Sequence, residues 1–197
     1  HVPVDADYRI DLHALEQAIA DDRAAGLHPL CIIGNAGTVN TGAIDDLSAL
    51  ADLAGREGLW FHVDGAFGAL AALAPALRPL AAGMERADSL AFDLHKWMYV
   101  PYEAGCILVR DAEAHRRAFS LTPDYLAHGD DGRGFATGDH WFSDYGVQLS
   151  RGFRALKVWM SLKEHGSDRY GRLVQQNVDQ ARYLVDRIAE TPELELL

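Results

Sequence analysis

Basic charge is scarce in this chain: 18 lysines and arginines stand against 29 aspartates and glutamates, a formal charge of -11 over 197 residues. So acidic a surface has no basic stripe with which to displace counterions from a phosphate backbone, and nucleic acid is not an expected partner. Cysteine is nearly absent. Cys31 and Cys106 lie far apart in apolar, strand-like runs (LCII and GCILV), which reads as two buried, reduced thiols rather than a disulfide or a metal site, and points to the cytoplasm. No apolar run approaches the roughly 18 residues that span a bilayer, and the opening HVPVDADYRI has no signal-peptide form, so no membrane association is expected. With 49% hydrophobic and 24% charged residues the chain reads as soluble and globular, with one good core. It opens on an extended segment rather than a methionine, as part of something longer would. The scarcest charged residue is lysine, present only as Lys96, Lys157 and Lys163.

What is present is an alternation of helical and strand patterns. Asp11 is placed to cap a helix with Leu12, Leu15 and Ile19 on one face and Gly26 to stop it. Leu30 to Ile33 reads as a buried strand, Asp46 as the cap of a helix carrying Leu47, Leu50 and Ala54, and Leu59 to Val63 as the next strand. Strand, helix and strand within so short a span make a βαβ unit, so a parallel sheet covered by helices is the economical fold. SLAF (Ser89 to Phe92) and GCILVR (Gly105 to Arg110) supply two more strands. Leu121 to Gly146 is rich in Gly, Asp and Pro without a period, the mark of a long functional or mobile loop. Beyond it, one helix is expected to bury Phe153, Leu156, Trp159 and Met160, and a second Leu173, Val174, Val178, Ala181, Leu184, Val185 and Ile188; the terminal ELELL reads as the start of a strand.

Lys96 sits in FDLHKWMYVP, among Phe92, Leu94, Trp97, Met98, Tyr99 and Val100. A lysine in such surroundings is either costly or present because an unprotonated amine is wanted. Ligands of open α/β sheets collect at the carboxyl ends of the strands. Asp64 ends one strand and Lys96 follows another by a few residues, so both reach that edge. An amine that can form a Schiff base and an acid that keeps a pyridine nitrogen protonated are what pyridoxal phosphate needs. On spacing alone the alternative stays open that Asp64 caps the turn after its strand and Lys96 snorkels from an apolar face. A metal-dependent hydrolase built on His62, Asp64, Asp93 and His95 is a further rival, but leaves Lys96 without a purpose. The glycines of GNAGTVNTG lack the GK[ST] ending of a phosphate-binding loop.

VDGAFG, FDLHKW, GTVNTGAIDDL and LSRGFRALKVWM, in this register, resemble the group II pyridoxal-phosphate-dependent amino acid decarboxylases, typified by aromatic-L-amino-acid decarboxylase. The likeness runs over most of the chain. It implies an α/β fold, the PLP-dependent transferase-like large domain of the aspartate aminotransferase type (fold type I). This chain would hold part of that domain in residues 1–150, with a mobile loop at about 120–146, and helices leading into the small C-terminal domain in 151–197. It implies pyridoxal 5'-phosphate as cofactor, an L-amino acid, aromatic by resemblance, as substrate, a homodimer, and no metal. Residue by residue, Lys96 would be the Schiff-base lysine, Asp64 the partner of the pyridinium nitrogen, Ala66 a contact on one face of the ring, and His95 a neighbour of the phosphate. Tyr125 matches the loop tyrosine that protonates the carbanion after carbon dioxide departs; phenylalanine commonly replaces it in aldehyde-forming relatives, so tyrosine favours decarboxylation over aldehyde synthesis or transamination. Arg151 matches an arginine of a GRRFR-like segment. Leu94, Asp93 and Gly65 depart from the residues common in relatives. Relatives are more than twice as long, and carry upstream a ring-stacking histidine and a phosphate-binding loop that have no match here, so the resemblance implies a fragment.

Overall fold

The computed structural model describes residues 1–120 and 142–196. Local capping sets its first elements. Helix α1 (Leu12–Ala24) starts where Asp11 accepts the Ala14 N–H, and Gly26, at φ 78°, turns the chain away after it. Strand β1 (Cys31–Asn35) leads to α2 (Leu47–Glu57), capped by Asp46 through the Ala49 N–H and closed by Gly58 in the left-handed region. Strands β2 (Trp60–Asp64), β3 (Ser89–Asp93) and β4 (Gly105–Val109) complete a sheet of order β1-β2-β3-β4. β1, β2 and β3 are parallel, with Asn35 opposite Asp64 and Asp64 opposite Ala91. Short 3-10 turns at Ala69–Leu73, Arg78–Ala81 and Met84–Arg86 fill the β2 to β3 connection. Then follow α3 (Ala112–Phe119) and a long helix α4 (Arg154–Ala189), interrupted at Gly166. The chain forms two compact units, His1–Leu108 with Arg154–Leu197, and Val109–Phe153.

The first unit has two apolar clusters. In one, Ile32, Phe61 and Val63 of the sheet pack on Leu15 and Ile19 of α1 and on Leu47, Leu50 and Leu53 of α2. In the other, Leu70, Ala71 and Leu77 of the β2 to β3 connection enclose Met98, Val100, Tyr170 and Val174. Within the second unit Asp144 is buried and faces Arg116 of α3 at 3.6 Å, while His115 packs edge-on against Tyr145.

Several expectations are corrected by this packing. β1 alternates between buried and exposed instead of being buried throughout, with Ile33 55% exposed and Cys31 exposed, because helices cover only one face of the strand. Cys106 is half-buried, and both thiols are free; burial pushes both above the usual thiol range. Leu156, Trp159 and Met160 of α4 are exposed, as are Leu184 and Val185 farther along, although the helical pattern and the break at Gly166 are as read from the sequence. Phe153, in the other unit, is exposed too. ELEL at 193–196 forms no strand. The helix α3 and the 3-10 turns were not anticipated, since each is shorter than the window of roughly 11 residues over which a hydrophobic period can be read.

Candidate active site

The side chains of β2 alternate. Phe61 and Val63 enter the helical cluster, so Trp60, His62 and Asp64 share the other face. Ser89 of β3 joins them: its Oγ accepts the Trp60 indole N–H at 2.8 Å and pairs with His62 Nδ1 at 2.7 Å. Ala91 and Asp93 continue this face along β3, two and four residues beyond Ser89. Asp64 and Asp93 thus stand at the carboxyl ends of two adjacent parallel strands, where the pattern of the sequence places a ligand.

Backbone contacts fix both acids. Asp64 Oδ1 accepts the Ala66 N–H at 3.0 Å, and the Ala66 carbonyl accepts the Asp93 N–H at 3.3 Å, so one small residue ties the two strand ends together. Close backbone approach is built into this edge. A Cβ on Gly68 would lie 2.4 Å from the Ala36 carbonyl, so only glycine lets the turn after Asp64 dock on the end of β1. Asp45, not anticipated from the sequence, braces the same region. Only 6% exposed, it accepts the Asn35 N–H at 2.7 Å and the Ile10 N–H at 2.8 Å, holding the loop after β1 against the strand end beside Asp64. Its place in GAIDDL looks like a second cap residue next to Asp46, and nothing local distinguishes the buried acid from the exposed one.

The apolar surroundings of Lys96 resolve by direction. Met98 and Val100 point into the second cluster, while Lys96 and Tyr99 point out, so the Lys96 side chain is 40% exposed rather than buried. Tyr99 adopts φ 56°, unusual for a residue with a Cβ, and its hydroxyl donates to Asn177 Oδ1 at 2.5 Å. That turn leaves Lys96 Nζ at the strand end, 2.8 Å from Asp93 Oδ2. His95 Nε2 is 3.8 Å from the same oxygen. Because His95 Nδ1 accepts the Ala104 N–H at 3.1 Å, the neutral ring carries its proton on Nε2, facing Asp93.

Asp64, Ala66, His95 and Lys96 are therefore gathered within one unit at one sheet edge. Tyr125 lies outside the described residues, and Arg151 belongs to the other unit. Asp93 was noted in the sequence as a departure from relatives and as a ligand of the rival metal site, yet it is the acid in contact with the lysine; its spacing of three residues was the available signal. Among the described residues no group of three or more His, Cys, Asp or Glu side chains is arranged to hold a metal ion. A separate cavity of about 760 Å³, lined by residues including Tyr8, Arg9, Thr41 and Asp45, contains neither Asp64 nor Lys96.

The family model described as the pyridoxal-dependent decarboxylase conserved domain matches residues 1–197. The chain belongs to the pyridoxal-dependent decarboxylase family. An aromatic-L-amino-acid decarboxylase of Bacillus atrophaeus is 40% identical over 177 residues, 90% of this chain and 36% of that protein. A histidine decarboxylase of Rattus norvegicus is 35% identical over 195 residues, 99% of this chain and 29% of that protein. The crystal structure of Catharanthus roseus tryptophan decarboxylase in complex with L-tryptophan superposes with a TM-score of 0.85 at 27% identity, covering 100% of this chain and 39% of that one. The fold is accordingly that of fold type I pyridoxal-phosphate enzymes. The chain spans about a third of the length of these decarboxylases.

The donor set at the sheet edge fits the family's cofactor. It offers one solvent-reachable amine, a carboxylate whose Oδ2 has no hydrogen bond among the described residues, and the small side chain of Ala66 beside the two strand ends.

Proposed function

We propose that this chain carries the cofactor-bearing edge of a pyridoxal-phosphate-dependent carboxy-lyase that converts an L-amino acid, aromatic by resemblance, to its amine and carbon dioxide. One observation supports this most: in a chain matched by the family from end to end, Lys96 and Asp64 stand at the carboxyl ends of neighbouring parallel strands. When bound, pyridoxal phosphate supplies an aldehyde for an amine to capture and a conjugated ring that accepts electrons released at the alpha carbon. Lys96 is the amine that holds the cofactor. Asp64, its Oδ1 already satisfied by Ala66, uses its second oxygen to hold a proton on the ring nitrogen. Ala66 would contact the ring and His95 the phosphate, and Tyr125 would be the proton donor to the alpha carbon that favours amine over aldehyde, as the resemblance implies. A cytoplasmic homodimer is part of the same reading, supported by the resemblance.

The test is an amino acid panel incubated with the full-length polypeptide and pyridoxal phosphate, with carbon dioxide and product identified. Amine and carbon dioxide in equal amounts are expected from an aromatic acid. Release of aldehyde and ammonia, or exchange of the amino group without carbon dioxide, would contradict the reading. Replacing Tyr125 by Phe is expected to divert product toward aldehyde.

A further inference from the structure

The turn that carries Lys96 is held from outside by helix α4. Tyr99 sits in the left-handed region at φ 56°, a conformation that strains a residue with a Cβ and persists only where the surroundings enforce it. Two bonds do so. The Tyr99 N–H is bound by the Lys96 carbonyl at 3.0 Å, which closes the turn, and the Tyr99 hydroxyl donates to Asn177 Oδ1 of α4 at 2.5 Å. Two residues on, the Pro101 carbonyl accepts from Lys157 Nζ at 2.8 Å, and Arg154 Nε donates to Glu103 at 2.7 Å. Asn177 lies beyond the break at Gly166 and the other two before it, so both halves of α4 engage one short segment. Underneath, Met98 and Val100 enter the cluster that holds Tyr170 and Val174 of the same helix. The helix is itself seated on backbone: a Cβ on Gly171 would lie 2.3 Å from the Leu73 carbonyl.

We propose that α4 braces the lysine turn, with Asn177 and Lys157 as positioning residues for Lys96. They fix the backbone from which the amine projects, acting through the Tyr99 hydroxyl and the Pro101 carbonyl. Glycine would adopt the Tyr99 backbone without strain, so a tyrosine there is explained by the hydroxyl that reaches Asn177. The inference rests on Lys96 being the amine of the proposed function, and it names what holds that amine at the sheet edge.

The experiment has two arms, both on the full-length polypeptide. Without cofactor, amide hydrogen exchange over residues 94–104 is read by mass spectrometry in Tyr99→Phe, Asn177→Leu and Lys157→Met, with β1 as internal reference. Each substitution removes one solvent-exposed hydrogen bond, so exchange in the turn is expected to rise roughly threefold to tenfold while β1 is unchanged. Asn177→Asp keeps an acceptor for the hydroxyl and retains the slow exchange. Tyr99→Phe and Asn177→Leu break the same bond, so the double variant exchanges no faster than either alone. In the second arm pyridoxal phosphate is added and borohydride quenches the mixture at short times. The rate of labelling at Lys96 should fall by a similar factor in Tyr99→Phe and Asn177→Leu and recover in Asn177→Asp. Unchanged exchange in the turn, an equal rise in β1, or an unchanged labelling rate at Lys96 overturns the brace. If the unaltered protein gives no adduct on Lys96, the proposed function fails, while the exchange arm still decides whether α4 holds the turn.

Discussion

The sheet and the Leu156–Met160 stretch of helix α4 carry equally clear hydrophobic patterns and meet opposite fates. Phe61 and Val63 of β2 are closed off by α1 and α2, whereas Trp159 of α4 is 60% exposed and Met160 lies open beside it. Periodicity tells which face of an element is apolar; it does not tell what covers that face. The cover for β2 is sequence-local, supplied by helices within about fifty residues on its amino-terminal side. Among the described residues of its unit, nothing covers Leu156, Trp159 and Met160 of α4 in this way, whereas Tyr170 and Val174 farther along the helix are enclosed. The same contrast divides the two faces of β1, where Ile32 is buried and Ile33 exposed.

The sharpest way to test this contrast is to empty the covered side. Phe61→Ala is expected to cost about 3–5 kcal/mol, read from the shift of a urea unfolding midpoint at constant slope, because it removes a fully enclosed ring. Asp45→Asn should cost about 1–3 kcal/mol, since the two carboxylate oxygens each accept a different backbone N–H and the amide keeps only one of them, turning its NH2 toward the other N–H. Its effect should extend to the cofactor edge as weaker pyridoxal phosphate retention. On the open side, Trp159→Gln should change the stability of this chain by no more than about 0.5 kcal/mol. A loss of 2 kcal/mol or more would mean that the stripe is covered after all and would break the comparison.

The smallest effect is expected where the two regions are joined by charge. Arg154, at the start of α4, donates to Glu103 at 2.7 Å through Nε and holds that carboxyl below its ordinary range, first by hydrogen bonding and then by its charge. A depressed folded value means that the contribution is in force above the unfolded carboxylate range, about 4.3, and is lost as pH falls through the lower folded value. The Tm difference between the unchanged chain and Glu103→Gln should therefore be greatest at neutral pH and shrink under acid. It should be small throughout, because the pair is exposed.

Legibility followed the range of the interactions. Asp11 and Asp46 announced their helices because a cap acts within four residues, and the four strands were read to within two residues of their ends. Asp64 and Lys96 could be brought to one edge because strand ends in a parallel sheet converge by topology. Asp45 could not be found in this way, since its partners Ile10 and Asn35 are distant in sequence or reached through a reversal of the loop. The exposure of Lys96 was misjudged for a related reason: a greasy segment was read as a greasy environment, whereas the turn after β3 sends Lys96 and Tyr99 outward and Met98 and Val100 into the core.

The central claim, that Lys96 and Asp64 form the cofactor edge, is tested most directly by borohydride reduction of the full-length polypeptide in pyridoxal phosphate, followed by peptide mapping. One pyridoxyl adduct is expected, on Lys96, absent from Lys96→Ala and diminished in Asp64→Ala. An adduct on Lys157 or Lys163, or none at all under conditions where the protein is folded, would contradict it.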